Sequence, residues 1–575
     1  MNGPSSGSAP GWPTLGGGLI ALILALGLSA PAIAQNGTAT ATNLDFPVVQ
    51  PGEFTQERPY LVAEDPDTLE ITPILTTGEV LRGTGYQMAA APAGLGAYQD
   101  GDDVVVLMSH ELTAEENEHI SDARVSRLVL DSETGAALSG AYPVNGSEGY
   151  RSLSSGFLAG SDADFDQPVF LTGEGSTGGE ESGIVIGVDG EGGDVTELPW
   201  LGHLPHASAI VIPGFDDQTA VFLTDGDTEG AEAYLYVADT PQDVLEGNGQ
   251  LYVFVADDVE GTTDIAKGDT LSGRFEPIDE ENNEDAEALQ TAADDAGAFT
   301  FMRLEGVTYD RTDTTTIYFA DTGENNPSLA TPTVDPLSAN GRLYSMTLDP
   351  TDPTRVTSLS VLLDGADGDD LRNPGNINAN ASTIMIQDNL NPSSREEDAE
   401  NTGRILAYDI ATGELTPLAR IDQSDDPDRL VALGDEAGSW ESSGIIEVSD
   451  LFGPGTWLVD VQAHTLNVPQ FDGIDEGGQL LLFRQLTPEA APTVEATAVA
   501  TVEPTAVATV EPTAVATVEP TAVVTPEATA VVTEEPNVIE PEEPNVIEPE
   551  EPNVIEPEEP NVIEPEEPTV VPPAG

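Results

Sequence analysis

Several stretches of the sequence place an acidic or basic side chain directly at the end of an apolar run. They contain Glu111, Glu174, Asp225, the pair Arg303 and Glu305, Asp388, and Glu441. In a β protein, side chains at strand ends can converge from separate strands, and calcium requires several such oxygen ligands. An arginine among them suits a phosphate group, because its guanidinium group forms paired hydrogen bonds. The pattern indicates a metal or anion site at one end of a sheet structure.

Each of these residues also has an interpretation in which it takes no part in binding or catalysis. A carboxylate after a strand in so acidic a chain is often a solvated turn residue, and Asp225 is compatible with a simple hairpin. Arg303 and Glu305 lie two positions apart, on one side of a strand, and are compatible with an internal ion pair. His110 and His464 are compatible with buried histidines satisfied by their neighbours. The sequence contains no Gly-Lys-Ser/Thr phosphate loop, Gly-x-Ser-x-Gly elbow or His-Glu-x-x-His motif.

Short apolar or alternating runs, bounded by Gly, Asp, Asn and Pro, recur through the middle of the chain and predict β-strands. The runs are 104–108, 127–130, 168–171, 184–188, 220–223, 233–237, 250–255, 315–320, 342–348, 383–386, 404–408, 456–461 and 479–483. Asp131 and Asp409 each begin a similar turn that ends in glycine, where Asp closes the turn and Gly supplies a positive φ. Repeated hairpins of this kind favour an all-β fold, a β-propeller, with an array of sandwiches as the alternative.

The composition is strongly acidic, because 104 Asp and Glu residues accompany 17 Lys and Arg residues and give a formal net charge of −87. This charge repels nucleic acid and anionic membranes, so we expect neither as a partner, and it attracts divalent cations. A salt-adapted, secreted surface is the other explanation of the bulk charge. The chain contains no cysteine, which excludes disulfides, thiolate metal ligands and cysteine nucleophiles.

The sequence divides into four parts. Residues 1–34 indicate a signal peptide, with an apolar run over 15–28 and a small-x-small cleavage pattern ending at Ala34. An uncleaved membrane anchor is the alternative, although the run is short for a full span. Residues 35–44 form a leader, 45–486 the β-rich domain and 487–575 the tail. We expect a secreted protein, extracellular or at the cell surface, without membrane insertion after signal cleavage.

Two further segments differ from the rest of the chain. The acidic insertion 278–298 predicts a surface loop or a short helix. The tail repeats Thr-Val-Glu-Pro-Thr-Ala-Val-Ala and then Pro-Asn-Val-Ile-Glu-Pro-Glu-Glu. Its frequent prolines and its purely negative charge predict a disordered, extended acidic segment. Such a tail would act as a spacer, a solubilising arm or a contact with the cell envelope.

Seven short motifs occur in order between residues 71 and 470. They are Pro-Ala-Gly-Leu-Gly-Ala-Tyr at 92–98, Leu-Met-Ser-His-Glu at 107–111, Phe-Leu-Thr-Gly-Glu at 170–174, Phe-Met-Arg-Leu-Glu-Gly at 301–306, Gly-Arg-Leu-Tyr at 341–344, Ile-Gln-Asp at 386–388 and Glu-Ser-Ser-Gly-Ile-Ile at 441–446. Together they resemble the PhoX-type alkaline phosphatases and the wider group of secreted PhoX-like proteins of unknown function.

This resemblance implies an irregular β-propeller of six blades, exported from a bacterium, with calcium and iron at the mouth of its channel. It implies that Arg303 is the catalytic, phosphate-binding group and that Glu305 binds metal. The other metal-site residues that it implies are Glu111, Glu174, Asp388 and Glu441.

The sequence departs from the family pattern at three places. The phosphatases have an iron-binding cysteine in an Arg-x-Cys-Ser stretch, where this chain has Leu153. A family glutamate is replaced by Ala207, and the usual Asn-His-Glu begins here with Ser109. We therefore expect calcium but not iron, with small phosphate esters as substrates if activity is retained. The alternative is a non-enzymatic binding or adhesion propeller displayed on an acidic stalk.

Overall fold

The computed structural model describes residues 47–112, 123–176, 183–215, 217–227, 230–323, 340–390, 402–423, 439–464 and 476–486. The predicted signal peptide, leader and tail lie outside these residues, so those three predictions stay predictions. Within the described ranges, no helix is long and apolar enough to cross a membrane.

Almost all regular structure in these ranges is β-sheet. The strands before the first blade are β1 (Val48–Val49), β2 (Leu61–Ala63), β3 (Leu69–Thr76), β4 (Val80–Leu81) and β5 (Tyr86–Gln87). Blade 1 contains β6 (Pro92–Asp100), β7 (Asp103–His110), β8 (Arg124–Asp131) and β9 (Ala137–Val144). Blade 2 contains β10 (Phe157–Ala159), β11 (Val169–Gly173), β12 (Val185–Asp189) and β13 (Val195–Leu198).

Blade 3 contains β14 (His206–Ile212), β15 (Thr219–Asp225), β16 (Ala233–Ala238) and β17 (Gln250–Ala256), with helix α1 (Pro241–Glu246) before β17. It is followed by β18 (Thr270–Pro277) and helix α2 (Ala286–Ala296). Blade 4 contains β19 (Leu304–Tyr309), β20 (Thr316–Asp321), β21 (Arg342–Asp349) and β22 (Asp352–Asp364).

Blade 5 contains β23 (Pro374–Ala379), β24 (Thr383–Asp388), β25 (Arg404–Asp409) and β26 (Leu415–Ile421). Blade 6 contains β27 (Glu441–Glu447), β28 (Thr456–His464) and β29 (Glu476–Gln485), with helix α3 (Ser449–Phe452) between the first two. Its fourth strand is β3, from the beginning of the domain. The fold is therefore the expected all-β propeller, and the described residues form its six blades.

Strand pairing between distant parts of the chain holds the blades together. The first strands of the blades, β6, β10, β14, β19, β23 and β27, contact one another in a closed ring around the axis. At the periphery, β2 pairs with β26, and β3 pairs with β29. The pairing of β18 with β22 joins blades 3 and 4 into one nine-stranded sheet. Because blade 6 combines strands from both ends of the domain, opening the ring requires β3 to detach.

The structure confirms the predicted turns and insertion. The Asp131 carboxylate accepts the backbone N–H of Thr134 at 2.8 Å, and Asp409 accepts that of Thr412 at 2.7 Å. The glycines that end these turns have φ values of +82° and +73°. In the insertion, α2 is the predicted short helix, and it packs two apolar side chains against blade 3.

Glycines allow the inner strands to approach closely. A Cβ atom on Gly306 in β19 would lie 2.5 Å from the Cα atom of Asn376 in β23, and 2.6 Å from the next backbone nitrogen. Both contacts are with main-chain atoms, which cannot move without displacing a strand. The absence of a side chain at Gly306 therefore sets the spacing between blades 4 and 5 beside the axis.

We expect Gly306→Ala to destabilise the fold by about 1–3 kcal/mol, because the methyl group forces two inner strands apart. Chemical unfolding of the variant measures this cost. The matched control is Gly160→Ala, where φ is −128° and the nearest atom is the flexible Asp162 carboxylate oxygen at 3.3 Å. A change within about 0.5 kcal/mol is expected for the control. Equal stabilities for the two variants would contradict this packing argument.

Candidate metal and phosphate site

The predicted site residues lie at one end of the propeller, which we call the mouth. In each blade the second strand runs antiparallel to the first, so the end of one lies beside the start of the other. Glu111 and Glu174 directly follow the second strands β7 and β11, and Asp388 ends the second strand β24. Glu305 and Glu441 lie at the starts of the inner strands β19 and β27. Strand topology alone therefore places these side chains at the same end.

Glu111 is connected to the start of β27 by hydrogen bonds. Its carboxylate accepts a bond from the Gln462 side-chain amide at 3.1 Å and another from the Ser152 hydroxyl at 3.0 Å. Gln462 is the cross-strand partner of Glu441. Glu111 and Glu441 are thus neighbours across blades 1 and 6, with Gln462 between them.

The segment carrying Arg303 is fixed by its backbone and by aromatic packing. The buried Asp321 carboxylate accepts the backbone N–H groups of Met302 and Arg303 at 3.1 and 3.2 Å. Phe301, which is fully buried, packs against Phe319 with a centroid separation of 5.4 Å. These contacts do not use the Arg303 side chain. The guanidinium group is consequently presented at the mouth by a rigid backbone.

Arg303 and Glu305 form an ion pair at 3.0 Å. Burial raises the pKa of Glu305, the charge of Arg303 opposes this rise, and the negative charges of Glu111 and Glu441 add to it. These four residues, Glu111, Arg303, Glu305 and Glu441, are called the mouth cluster below. The charges of Glu111 and Glu441 act on Glu305 beside a single guanidinium group, so the mouth cluster carries an excess of negative charge.

His464 extends this charge network. Its Nδ1 atom lies 2.7 Å from a carboxylate oxygen of its cross-strand partner Glu476. Burial lowers the pKa of His464, but Glu476, with smaller effects from Glu441 and Glu111, outweighs burial and raises it to about 9. His464 is therefore a cation beside the mouth cluster at neutral pH. His110 behaves differently, because burial lowers its pKa to about 4 while its ring nitrogens contact Ala90 and Ser126.

This pKa predicts a pH dependence of stability. The pKa of His464 rises from 6.5 to about 9 on folding, so its stabilising effect is complete below pH 6.5 and is lost as the pH rises through 9. We expect the melting temperature of the wild-type protein to fall more between pH 6.5 and 9 than that of His464→Gln. Thermal unfolding of both proteins across this range measures the difference. Parallel curves would contradict the assignment, and Glu476→Gln should resemble His464→Gln.

Glu174 has other partners. Its carboxylate accepts backbone N–H groups from Arg151 at 2.9 Å, Gly183 at 3.0 Å and Ile184 at 3.4 Å. Burial raises its pKa, and these three hydrogen bonds oppose the rise. Glu174 thus joins two loops of blade 2, and its oxygens are already used. Its predicted metal ligation stays a prediction, and we leave it out of the mouth cluster.

Asp388 lies in a buried ion-pair network. One of its oxygens is 2.7 Å from Arg404 Nε and 3.3 Å from Arg372 Nε, and the other accepts the Arg372 backbone N–H. Two guanidinium groups therefore offset its charge, which removes most of its attraction for a metal cation. Its predicted metal ligation also stays a prediction, and the observed contacts connect strands of blade 5.

A β-bulge shapes the Glu-Ser-Ser-Gly motif at 441–444. Ser442 pairs with Val461 and Ile445 pairs with Val459, so two residues of β27 oppose Asp460 alone. The Gly444 N–H donates to the Asp460 carboxylate at 2.8 Å, and a Cβ atom on Gly444 would lie 2.3 Å from its other oxygen. Glycine is required at position 444 because the backbone lies too close to the Asp460 carboxylate for a side chain to fit. Sequence reasoning did not assign Asp460 a role, although its period-two spacing from Gln462 and His464 signals a shared face.

Leu153 and Ala207, where the sequence predicts the loss of iron ligands, have hydrocarbon side chains. Leu153 is 0% exposed and packs in an apolar cluster with Leu107 and Phe170. Ala207 is buried and has no donor atom in its side chain. Within the described ranges, no group of three or more histidine, aspartate or glutamate side chains is arranged to hold a metal ion. The side chains of the mouth cluster would therefore have to reorient around a cation.

The channel also contains a cavity of about 1100 Å³, lined by residues of all six inner strands. Its lining includes Tyr98, Tyr309 and Arg311 but no member of the mouth cluster. The cavity and the mouth cluster therefore share no residues.

Comparison with known proteins identifies relatives of this fold. The family described as alkaline phosphatase PhoX matches residues 111–397. Among solved structures, PhoX from Pseudomonas fluorescens in complex with vanadate, a transition state analogue, has a TM-score of 0.53 and 13% identity, covering 77% of this chain and 98% of that chain. A glycosyl hydrolase from Bacteroides ovatus has a TM-score of 0.30 and 12% identity, covering 57% of this chain and 87% of that chain. No curated protein matches the sequence.

The family match covers part of the candidate site. It contains Glu111, Arg303 and Glu305, whereas Glu441 and His464 follow its last matched residue. At 13% identity, the similarity to the solved structure shows a shared fold. This similarity does not assign a reaction to the chain, so its chemistry depends on its own residues.

Proposed function

Because the chain belongs to the PhoX family of alkaline phosphatases, we propose that its mouth cluster binds calcium together with small phosphate esters and hydrolyses them. The observation that carries this proposal is the Arg303–Glu305 pair at 3.0 Å, in the field of Glu111 and Glu441. It combines an anion-binding group with hard oxygen donors at one end of the propeller.

Arg303 is the proposed phosphate-binding group. Its guanidinium group can donate two parallel hydrogen bonds to phosphate oxygens, which orients the ester and offsets charge that develops during transfer. Its side chain is 37% exposed, so a ligand can reach it. Glu305 restrains the guanidinium group before substrate binds, and the Asp321 contacts hold the backbone beneath it.

Glu111, Glu305 and Glu441 are the proposed calcium-holding residues. Their donor chemistry fits a hard cation, because carboxylate oxygens are the ligands that calcium prefers. The raised pKa of Glu305 supports this assignment, since the repulsion that contributes to it is relieved by a bound cation. When bound, calcium would supply positive charge for the phosphoryl oxygens and for an attacking water.

Iron does not fit the residues present. Leu153 and Ala207 offer only hydrocarbon where the family pattern has a thiolate and a carboxylate. We therefore propose a calcium-dependent site without iron and derive no step through iron. The same two residues favour the second candidate function, a propeller that binds phosphorylated or acidic ligands without turning them over.

Activity measurements on the purified protein distinguish the two candidates. p-Nitrophenyl phosphate and bis(p-nitrophenyl) phosphate are assayed with calcium, with calcium and iron, and with chelator. We expect turnover that requires calcium and does not increase with iron. Absence of turnover in every condition would contradict the hydrolase and favour the binding propeller. A calcium-dependent rise in melting temperature that is the same in wild type and Glu305→Gln would contradict calcium at the mouth.

We further propose that the protein is secreted by a bacterium and acts outside the cell or at its surface. The support is the apolar run over 15–28 with its cleavage pattern, and the net charge of −87. The same charge argues against nucleic-acid partners and against membrane insertion after cleavage. The acidic repeats after residue 486 are proposed as an extended arm that contacts the cell envelope.

A further inference from the structure

A second group of carboxylates lies in blade 3, where the second strand β15 ends and the third strand β16 begins. Asp225 ends β15, and Glu232 directly precedes β16. The Asp225 backbone N–H donates to the Glu232 carbonyl oxygen at 3.2 Å, so the two residues oppose one another across the hairpin. One Asp225 carboxylate oxygen accepts the Asp227 backbone N–H at 2.9 Å. The two acidic side chains therefore extend from adjacent positions on paired strands.

Both carboxylates are buried, and no described arginine, lysine or histidine forms an ion pair with either of them. Asp225 is 2% exposed and Glu232 is 1% exposed. The Glu232 Oε2 atom has no hydrogen-bond partner among the described residues. Burial, followed by the polar side chain of Gln290 in α2, acts most strongly on the pKa of Glu232, while the charges acting on the pair come from the pair itself, Asp227 and Asp294. All of these charges are negative.

Three other buried carboxylates of the domain are compensated. Asp388 contacts two arginines, and Asp364 contacts Arg342 at 2.8 Å. Asp321 accepts three backbone N–H groups. Burial of a carboxylate without a counter-charge is strongly unfavourable, so Asp225 and Glu232 require positive charge from solution.

The titration of the pair agrees with this requirement. Burial, followed by the charge of Glu232, raises the pKa of Asp225 well above its usual range. Burial raises the pKa of Glu232 to about 7. A proton on one carboxyl would offset a single negative charge, whereas Asp227 and Asp294 would still contribute theirs. A divalent cation offsets more of the combined negative charge of these carboxylates than a single proton does.

We propose that Asp225 and Glu232 bind a calcium ion that links the blade 3 hairpin to helix α2. The donors are oxygens only, which suits calcium and disfavours metals that select nitrogen or sulfur ligands. Gln290, Asp294 and water complete the coordination, in keeping with the lack of a ready three-carboxylate cluster in the described ranges. The acidic insertion thereby gains a role, because α2 covers the ion. This site is independent of the catalysis proposed for the mouth cluster.

Calcium binding to the full chain tests this site. Isothermal titration with calcium chloride is performed on wild type, Glu232→Gln and two controls. Glu305→Gln removes a carboxylate of the mouth cluster, and Asp295→Asn removes an exposed acid of α2. We expect Glu232→Gln to lose one calcium equivalent, or to bind it at least tenfold more weakly. Glu305→Gln and Asp295→Asn should keep this equivalent, and the calcium-dependent rise in melting temperature should shrink in Glu232→Gln.

Terbium luminescence provides a second measurement that does not require Glu232 to be changed. Tyr234 lies two positions after Glu232, on the same face of the strand, and both carboxylates act on its hydroxyl group. Terbium bound at this site should be sensitised by Tyr234, so Tyr234→Phe should lose emission while calcium stoichiometry stays unchanged. Unchanged emission in Tyr234→Phe would overturn the proposal. So would equal calcium binding in wild type and Glu232→Gln, in which case the carboxyl pair shares a proton instead.

Discussion

Replacing Arg303 with alanine is expected to lower kcat/KM for p-nitrophenyl phosphate by about 10²–10³-fold, the loss typical of one preorganised charge-stabilising donor. The physical reason is that no other arginine belongs to the mouth cluster, so the phosphoryl oxygens lose their guanidinium partner. The fold should be retained, because Asp321 binds the backbone N–H of residue 303 and Thr322 donates to its carbonyl oxygen at 2.8 Å. Steady-state kinetics, with thermal unfolding alongside, measure both effects.

Two further variants make this result specific. Arg303→Lys keeps the charge but loses the paired donors, so its activity should lie between those of wild type and Arg303→Ala. Arg311→Ala is the matched control, because Arg311 follows the opposite end of the same inner strand, where it stacks on Tyr309 at 4.2 Å. Its activity should equal that of wild type. Equal losses in Arg303→Ala and Arg311→Ala would show that general charge, rather than phosphate contact, is responsible.

Replacing Asp388 with asparagine is expected to cost about 3–5 kcal/mol of stability, because a buried ion pair loses one partner. Burial raises the pKa of Asp388, and Arg404 and Arg372 oppose that rise. In the variant, an amide NH₂ group would face guanidinium donors, and the positive charges would have no carboxylate between them. Denaturant unfolding of the variant measures the cost.

Asp370→Asn is the matched control for this prediction. Asp370 also contacts Arg404, at 2.9 Å, but its side chain is 71% exposed. Water screens this pair, so the expected cost is about 0–1 kcal/mol. Repeating both measurements with calcium and with chelator distinguishes the structural role of Asp388 from metal ligation. A cost for Asp388→Asn that appears only with calcium would restore Asp388 to the metal site.

The strand pattern could be predicted for the middle strands of the blades but not for the inner ring. Every predicted run overlaps a strand, and nearly all of these are the second or third strand of a blade. These strands are covered by neighbouring blades and therefore carry continuous apolar residues. The inner strands β6 and β23 contain glycine, proline and small polar residues, because each approaches the inner strands of its neighbouring blades closely. That composition is also typical of turns, so the hydrophobic pattern does not reveal them.

The sequence predicted where the candidate site lies better than it predicted which residues belong to the site. A carboxylate that directly follows a second strand must lie at the mouth, and local sequence reveals this for Glu111, Glu174 and Asp388. The partners of Glu174 and Asp388 come from other strands and loops of the same blade. Arg372 and Arg404 neutralise the charge of Asp388. The Glu174 carboxylate accepts hydrogen bonds from backbone N–H groups of another loop. Sequence spacing contains no signal for these contacts, because they depend on how one loop packs against another.

The sequence by itself determined the all-β class, the hairpin turns at Asp131 and Asp409, and the family. These features depend on residue type and short spacing, which local chemistry can interpret. Only the tertiary structure decided which carboxylates meet a guanidinium group, which are left to act on one another, and that Asp225 and Glu232 are buried as an uncompensated pair. Burial and charge partners are properties of the folded blades, because they depend on how separate strands and loops pack against one another.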